Sequence, residues 1–138
     1  MNTYETYVSL EVARLLKQAG FDWETRASYW FDYTISQNYI LTYPKTHDDW
    51  NHRVEEDIDY ISAPTLQIAQ RWLREVKNMS VEISFEKPGK WSCCVILDTN
   101  KEVSFENLWR EEFDYDTYES ALEAGINKCL KIILEEKE

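Results

Sequence analysis

Apolar side chains recur with a helical period in three stretches of the chain and alternate with polar ones in others, which predicts a mixed fold. Val12, Ala13, Leu15, Leu16 and Ala19 form the first stripe, with Glu11, Arg14, Lys17 and Gln18 opposite. Ser9 stands where an N-cap belongs, Glu11 lies in the first turn and Gly20 follows the last. A helix is therefore expected over Leu10–Ala19. Leu66, Ala69, Trp72, Leu73 and Val76 make the second stripe, against Gln67, Gln70, Arg71, Arg74 and Lys77. Its start is expected at Ser62 as the cap, with Pro64 in the first turn, where a missing N–H costs nothing. Tyr118, Leu122, Gly125, Ile126, Cys129 and Ile133 make the third stripe, capped by Asp116 or Thr117 and running to Glu135. Glu119, Glu123, Asn127 and Lys131 form its wet face.

Between the helices the residues change type. Phe21 to Tyr43 is dense in Tyr, Trp, Phe, Thr and Ile, which fit a pleated surface. Two strands are expected there, Glu24–Tyr33 and Tyr39–Tyr43, with a turn near Ser36–Asn38 and Pro44 as the stop. Lys45–Tyr60 has no period and reads as a long acidic loop. Val81, Ile83 and Phe85 alternate with Glu82, Ser84 and Glu86, a half-buried strand. Pro88-Gly89 makes a turn, Trp91, Cys93, Val95 and Leu97 share one face of the next strand, and Lys101–Trp109 is a weaker third. The predicted order is α-β-β-α-β-β-β-α: one α+β domain over residues 1–138, with a mostly antiparallel sheet packed by helices. Leu15, Leu16, Leu73, Val95, Leu122 and Cys129 are its expected core.

Composition supports a chain that folds without staples. The 138 residues are 43% hydrophobic and 14% aromatic, with three glycines and three prolines, unlike a disordered chain. Three cysteines are an odd number, and Cys93 and Cys94 point to opposite faces of a strand. They read as small hydrophobes in a reducing compartment. Met1–Val8 lacks the basic start and apolar run of a signal peptide, so a cytoplasmic location is expected.

Charge narrows the partners. The chain carries 26 acidic and 15 basic side chains, a net charge of −11. Acid concentrates in Asp48–Asp59 and again in Glu106–Glu119. A nucleic-acid binder neutralises phosphates with clustered Lys and Arg, and these cations are scattered. Direct binding to DNA, RNA or a membrane is disfavoured.

Chemical motifs are sparse. His47, Asp48, Asp49 and His52 form the one cluster that resembles a metal or acid–base site, but its histidines are not at the helical i, i+4 spacing of zinc pairs. No metal and no cofactor is expected. There is no Gly-x-Ser-x-Gly, no Cys-x-x-Cys, and too few glycines for a phosphate loop. No catalytic residue stands out, and the chain reads as a non-enzyme.

The aromatic band carries more information. Trp23, Tyr29, Trp30, Phe31, Tyr33, Tyr39 and Tyr43 crowd a short hairpin, with Trp50 and Tyr60 in the loop beyond. Alternation buries about half of them on one face of a sheet. The others are either covered by the acidic loop or exposed, and exposed Tyr and Trp beside polar groups make partner surfaces. The candidate binding residues are therefore Trp30, Tyr33, Tyr39 and Trp50, with Asp48, Asp49, Glu55, Glu56 and Asp57.

Ala63-Pro64-Thr65-Leu66-Gln67-Ile68-Ala69-Gln70-Arg71-Trp72-Leu73-Arg74-Glu75-Val76 resembles a motif of small uncharacterised proteins from gut Bacteroides and their phages and mobile elements. Tyr7 to Leu16 and Thr117 to Ala124 resemble the opening and closing helices of the same proteins. The resemblance implies a bacterial or phage origin and carries no activity. The resulting expectation is an acidic binding protein for a partner of basic or mixed surface, in a sharper form a phage-type inhibitor that mimics nucleic-acid charge. The alternative is a small-molecule binder with an aromatic-lined pocket.

Overall fold

The computed structural model describes residues 6–111 and 113–136. Glu112, part of the second acidic segment, lies outside the described residues. The α+β class and the antiparallel pairing are as expected, with three helices and six strands among the described residues. The strands divide into two three-stranded antiparallel sheets. The chain forms two compact units, residues 1–65 and 66–138.

In the first unit, helix α1 (Leu10–Gln18) starts and stops where its local chemistry dictates. The Ser9 hydroxyl accepts from the Val12 N–H at 3.3 Å. At the other end Gly20 takes φ +96, and the Gly20 and Phe21 N–H groups close on Lys17 O at 3.1 Å and Leu16 O at 2.9 Å. This satisfies carbonyls that the helix end would otherwise orphan. Val12, Ala13 and Leu16 are buried, whereas Leu15, expected in the core, is only half-buried.

Strands β1 (Ser28–Asp32), β2 (Ile40–Thr42) and β3 (Ile58–Ser62) form the sheet β2-β1-β3. β3 corrects the expectation of an unbroken loop to Tyr60. Its pairing sets Tyr29 against Ile61 and Phe31 against Asp59, and Trp30 against Tyr60. Asp59 thus stands at an apolar-side position, which erased the alternation that would have marked a strand. The carboxylate is satisfied there by Lys17 Nζ at 3.4 Å and the Tyr39 hydroxyl at 2.6 Å. Ser62 consequently belongs to β3, not to a helix cap, and the next helix begins only at Leu66.

The second unit holds α2 (Leu66–Val76), β4 (Ser80–Lys87), β5 (Lys90–Ile96), β6 (Leu108–Arg110) and α3 (Tyr118–Glu136). Its sheet runs β4-β5-β6, and the helices pack on the face that carries Val81, Cys93 and Val95. Leu73, Val95, Leu122 and Cys129 are buried as expected. The Thr117 hydroxyl caps α3 by accepting from the Ser120 N–H at 3.0 Å. The weak strand expected over Lys101–Trp109 is mostly something else. Val103 and Phe105 are 65% and 100% exposed, and Phe105–Asn107 is a 3-10 turn. Asn107 organises this loop: its amide donates to the carbonyls of Asp98, Lys101 and Glu102 and its oxygen accepts from the Asp98 N–H. Only Leu108–Arg110 is left to pair with β5.

Gly125 is required by close approach. A Cβ there would fall well inside contact distance of Val81 Cγ1, a stiff β-branched side chain that is itself buried. Gly125→Ala should therefore destabilise the chain by about 1–3 kcal/mol in urea denaturation, despite the better helix propensity of alanine. Adding Val81→Ala should recover part of that loss; full stability of the single variant would contradict this packing.

Candidate functional site

The two faces of the first sheet have different neighbours. Tyr29, Phe31, Asp59 and Ile61 share the α1 side. There the Tyr29 hydroxyl donates to Val8 O at 2.8 Å, Phe31 stacks on Tyr39 at 4.8 Å, and the Arg14 guanidinium lies 4.9 Å over the Tyr39 ring. Trp30, Thr42 and Tyr60 point the other way. The acidic loop folds back onto part of this second face and leaves the rest open.

Three interactions seat the loop. The backbones of Thr25 and Asp48 exchange hydrogen bonds at 2.9 and 3.1 Å. Trp50 opens a 3-10 turn (Trp50–His52), is only 5% exposed, and donates its indole N–H to Thr25 O at 2.7 Å. Asn51 bridges outward: its amide donates to Phe21 O at 2.9 Å and its oxygen accepts from the Ser62 N–H at 2.9 Å. The Trp50 ring rests 5.3 Å from the Tyr60 ring. Beside them lies a groove of about 570 Å³ lined by Trp30, Thr42, Tyr43, Pro44, Thr46, Trp50, Arg53 and Tyr60.

Arg53, although exposed, is held by two rings and two carboxylates. Its guanidinium lies 5.4 Å over the Trp50 ring and 5.5 Å over the Tyr60 ring. It reaches Asp48 at 2.9 Å and Glu55 at 2.6 Å. Glu55, and then Asp48, hold the Arg53 guanidinium protonated well beyond its ordinary range. In return Arg53, with the Tyr60 hydroxyl at 3.0 Å, holds the Glu55 carboxyl below the usual carboxylate range. The groove's cation is already neutralised.

The expected site residues therefore part company. Asp48 and Glu55 are occupied by Arg53, and Asp49 Oδ2 by His52 Nδ1 at 2.6 Å. Asp49 Oδ1 is buried and finds no partner among the described residues. Glu56 and Asp57 are exposed. Asp57 also takes φ 63 in the tight turn before β3, a conformation Asp tolerates better than most residues. Among the aromatics, Trp30 lines the groove and Trp50 is its buried wall. Tyr33 is 65% exposed and lies edge-on to Phe31, while Tyr39 is half-buried against α1, on the opposite face from the groove. Tyr43, Pro44, Arg53 and Tyr60 belong to the site and are not among the candidate binding residues read from the sequence. Tyr43 and Tyr60 sit in the aromatic band, but only strand register tells which of its members share a face.

Elsewhere the chemistry is quiet. Among the described residues no three His, Cys, Asp or Glu side chains gather as a metal would require, and no helix is long and apolar enough to cross a membrane. Burial pushes the Cys93 thiol to about 11 and the Cys129 thiol to about 12, so both stay protonated near neutral pH and are poor nucleophiles. Comparison with models of protein families, with curated proteins and with solved structures returns no match to this chain.

Tyr39 offers a direct check on the α1 side of the sheet. Burial first, and then its bond to the Asp59 carboxylate, push the phenol up to about 12. Because the folded value lies above the ordinary value of 10.0, the neutral phenol is the form the fold favours. Its contribution is complete below about pH 10 and is lost as pH rises through about 12. Tyr39→Phe should remove one phenol from the latest phase of an alkaline absorbance titration and flatten the loss of stability across that window. An unchanged late phase would place Tyr39 in water instead.

Proposed function

We propose that this protein is a non-enzymatic binding module that takes a segment of a protein partner of basic or mixed charge into the groove between Trp30, Tyr43, Pro44 and Tyr60. The observation that carries the reading is an open aromatic groove whose one lining cation among the described residues, Arg53, is neutralised by Asp48 and Glu55. Such a groove offers rings for stacking and no free positive charge for a phosphate or carboxylate. Glu56 and Asp57, next along the loop, keep exposed carboxylates that favour a cationic partner. Aromatic anchors beside a charged rim are the usual build of a protein interface, and a net charge of −11 supports long-range attraction. In its sharper form the partner is a nucleic-acid-binding protein, and the acidic surface stands in for phosphate. That version fits the likeness to phage and Bacteroides proteins.

A second reading rests on the groove's size. A volume of about 570 Å³ is within the range of small-molecule sites, roughly 300–1,000 Å³, and the same rings would stack on a flat apolar ligand.

The two readings separate by salt and by residue. Partner capture from a host lysate should weaken as salt rises, since exposed charges are screened beyond about 8 Å at physiological ionic strength. Glu56→Gln with Asp57→Asn should slow association and leave the fold intact, because Asn also tolerates the backbone at position 57. Trp30→Ala or Tyr43→Ala should instead speed dissociation by roughly tenfold or more. Capture indifferent to salt and to the neutralised pair would remove the electrostatic reading. Loss only in the aromatic variants, together with a low-mass ligand released on denaturation, would leave the small-molecule site.

A further inference from the structure

The outer edge of the second sheet is formed by β4, and the hydrogen bonds of its neighbour fix which way its backbone points. On β5, Trp91 exchanges bonds with Tyr115 at 2.8 and 2.7 Å, Cys93 O accepts from the Glu111 N–H at 3.1 Å, and the Leu97 N–H donates to Asn107 O at 3.0 Å. Odd-numbered β5 residues thus turn their backbone polar groups away from β4, and even-numbered ones turn theirs toward it. The register pairs Cys94 with Glu82 and Ser92 with Ser84. Glu82 and Ser84 therefore spend their backbone groups on β5, and Val81, Ile83 and Phe85 point theirs outward.

The Val81 carbonyl is taken by the Gln70 amide at 2.9 Å. The outward N–H and C=O groups of Ile83 and Phe85 have no partner among the described residues. Glu82, Ser84, Phe85, Glu86 and Lys87 are exposed and Ile83 is half-buried, so this stretch of edge faces water. The two sides of the edge differ chemically. On the α3 side Phe85, 59% exposed, lies 5.4 Å from the Trp91 ring, which lies 5.5 Å from the partly exposed Tyr118. On the other side Glu82 and Glu86 flank Ser84. Their hydrogen-bond partners are the neutral hydroxyls of Ser80 and Ser92 at 2.7 and 2.6 Å, and neither carboxylate is in an ion pair among the described residues.

We propose that the β4 edge accepts an extended segment of a partner protein as a fourth strand. That segment carries apolar residues at alternate positions, over Ile83 and Phe85, and Lys or Arg between them, over Glu82 and Glu86. Main-chain hydrogen bonds supply the affinity in such strand addition, and alternate side chains supply the specificity. A second copy of this chain is the poorer occupant. Antiparallel pairing about Ser84 sets Glu82 of one copy opposite Glu86 of the other, and like charges directly opposite destabilise a sheet. The register shift between Phe85 and Lys87 ends the usable edge and keeps the added strand short.

The test uses the full-length protein, isotope-labelled for amide detection, and a blocked heptapeptide alternating lysine and valine. Two control peptides keep the design honest: one replaces each valine by proline at the same charge, the other replaces each lysine by glutamate. The Lys-Val peptide should slow hydrogen exchange at the Ile83 and Phe85 amides by at least tenfold at saturation. The Lys-Pro and Glu-Val peptides should bind at least tenfold more weakly. Glu82→Lys with Glu86→Lys should reverse the preference between the Lys-Val and Glu-Val peptides. Equal binding of the Lys-Val and Lys-Pro peptides would overturn the proposal, since charge alone would then be responsible. Binding without a change at the Ile83 and Phe85 amides would overturn it as well. So would dimerisation through β4 in the absence of peptide.

Discussion

The first unit depends on how one turn of an acidic loop is held against a sheet. Trp50 gives its indole N–H to Thr25, and Asn51 ties Phe21 to Ser62. Buried amide and carbonyl groups that would otherwise be left without water are satisfied together. The same seating buries one large ring on the face of the sheet away from α1 and leaves its neighbours uncovered. The groove is therefore a by-product of partial coverage: the turn closes over Tyr60 and stops short of Trp30 and Tyr43.

That geometry also decides what the acid is for. A run of carboxylates in a sequence reads as one negative surface. In the fold it divides by job. Asp48, Asp49 and Glu55 serve the loop itself, through Arg53 and His52, and Glu56 and Asp57 remain to face a partner. The residues nearest the rings are thus structural, and charge available for recognition lies beside the groove. Exposed ion pairs contribute little to stability singly. Stacked on two rings and shared between two carboxylates, Arg53 acts mainly by fixing the shape of the loop.

The second unit follows a simpler rule. One face of its sheet is covered by helices and the other is polar, as Glu82, Ser84 and Glu86 alternate with Val81, Ile83 and Phe85. Gly125 lets α3 approach Val81 closely, which ties helix and sheet at one point with little tolerance. The edge of β4 is the part this packing leaves unfinished, because covering a face does nothing for the backbone groups at a margin.

The three helices were legible in the sequence because a helix advertises itself locally through its stripe, and α1 and α3 also through their caps, whereas the cap expected for α2 at Ser62 belongs to β3. Ser9, Gly20 and Thr117 sit where their chemistry places them, and Leu16, Leu73, Leu122 and Cys129 are buried as their spacing requires. The strands Val81–Phe85 and Trp91–Val95 were legible for the same reason, since each alternates cleanly. The acidic, aromatic character of Phe21–Tyr60 was equally plain. What the sequence alone left undecided depends on pairing between distant residues. β3 was hidden because Asp59 breaks the alternation and is tolerated only through Lys17 and Tyr39, far away in the chain. Phe105 looked like a strand residue and lies fully exposed, because Asn107 gathers the surrounding carbonyls instead. Which aromatic rings share the groove was set by register, and register is a property of two strands that neither contains by itself.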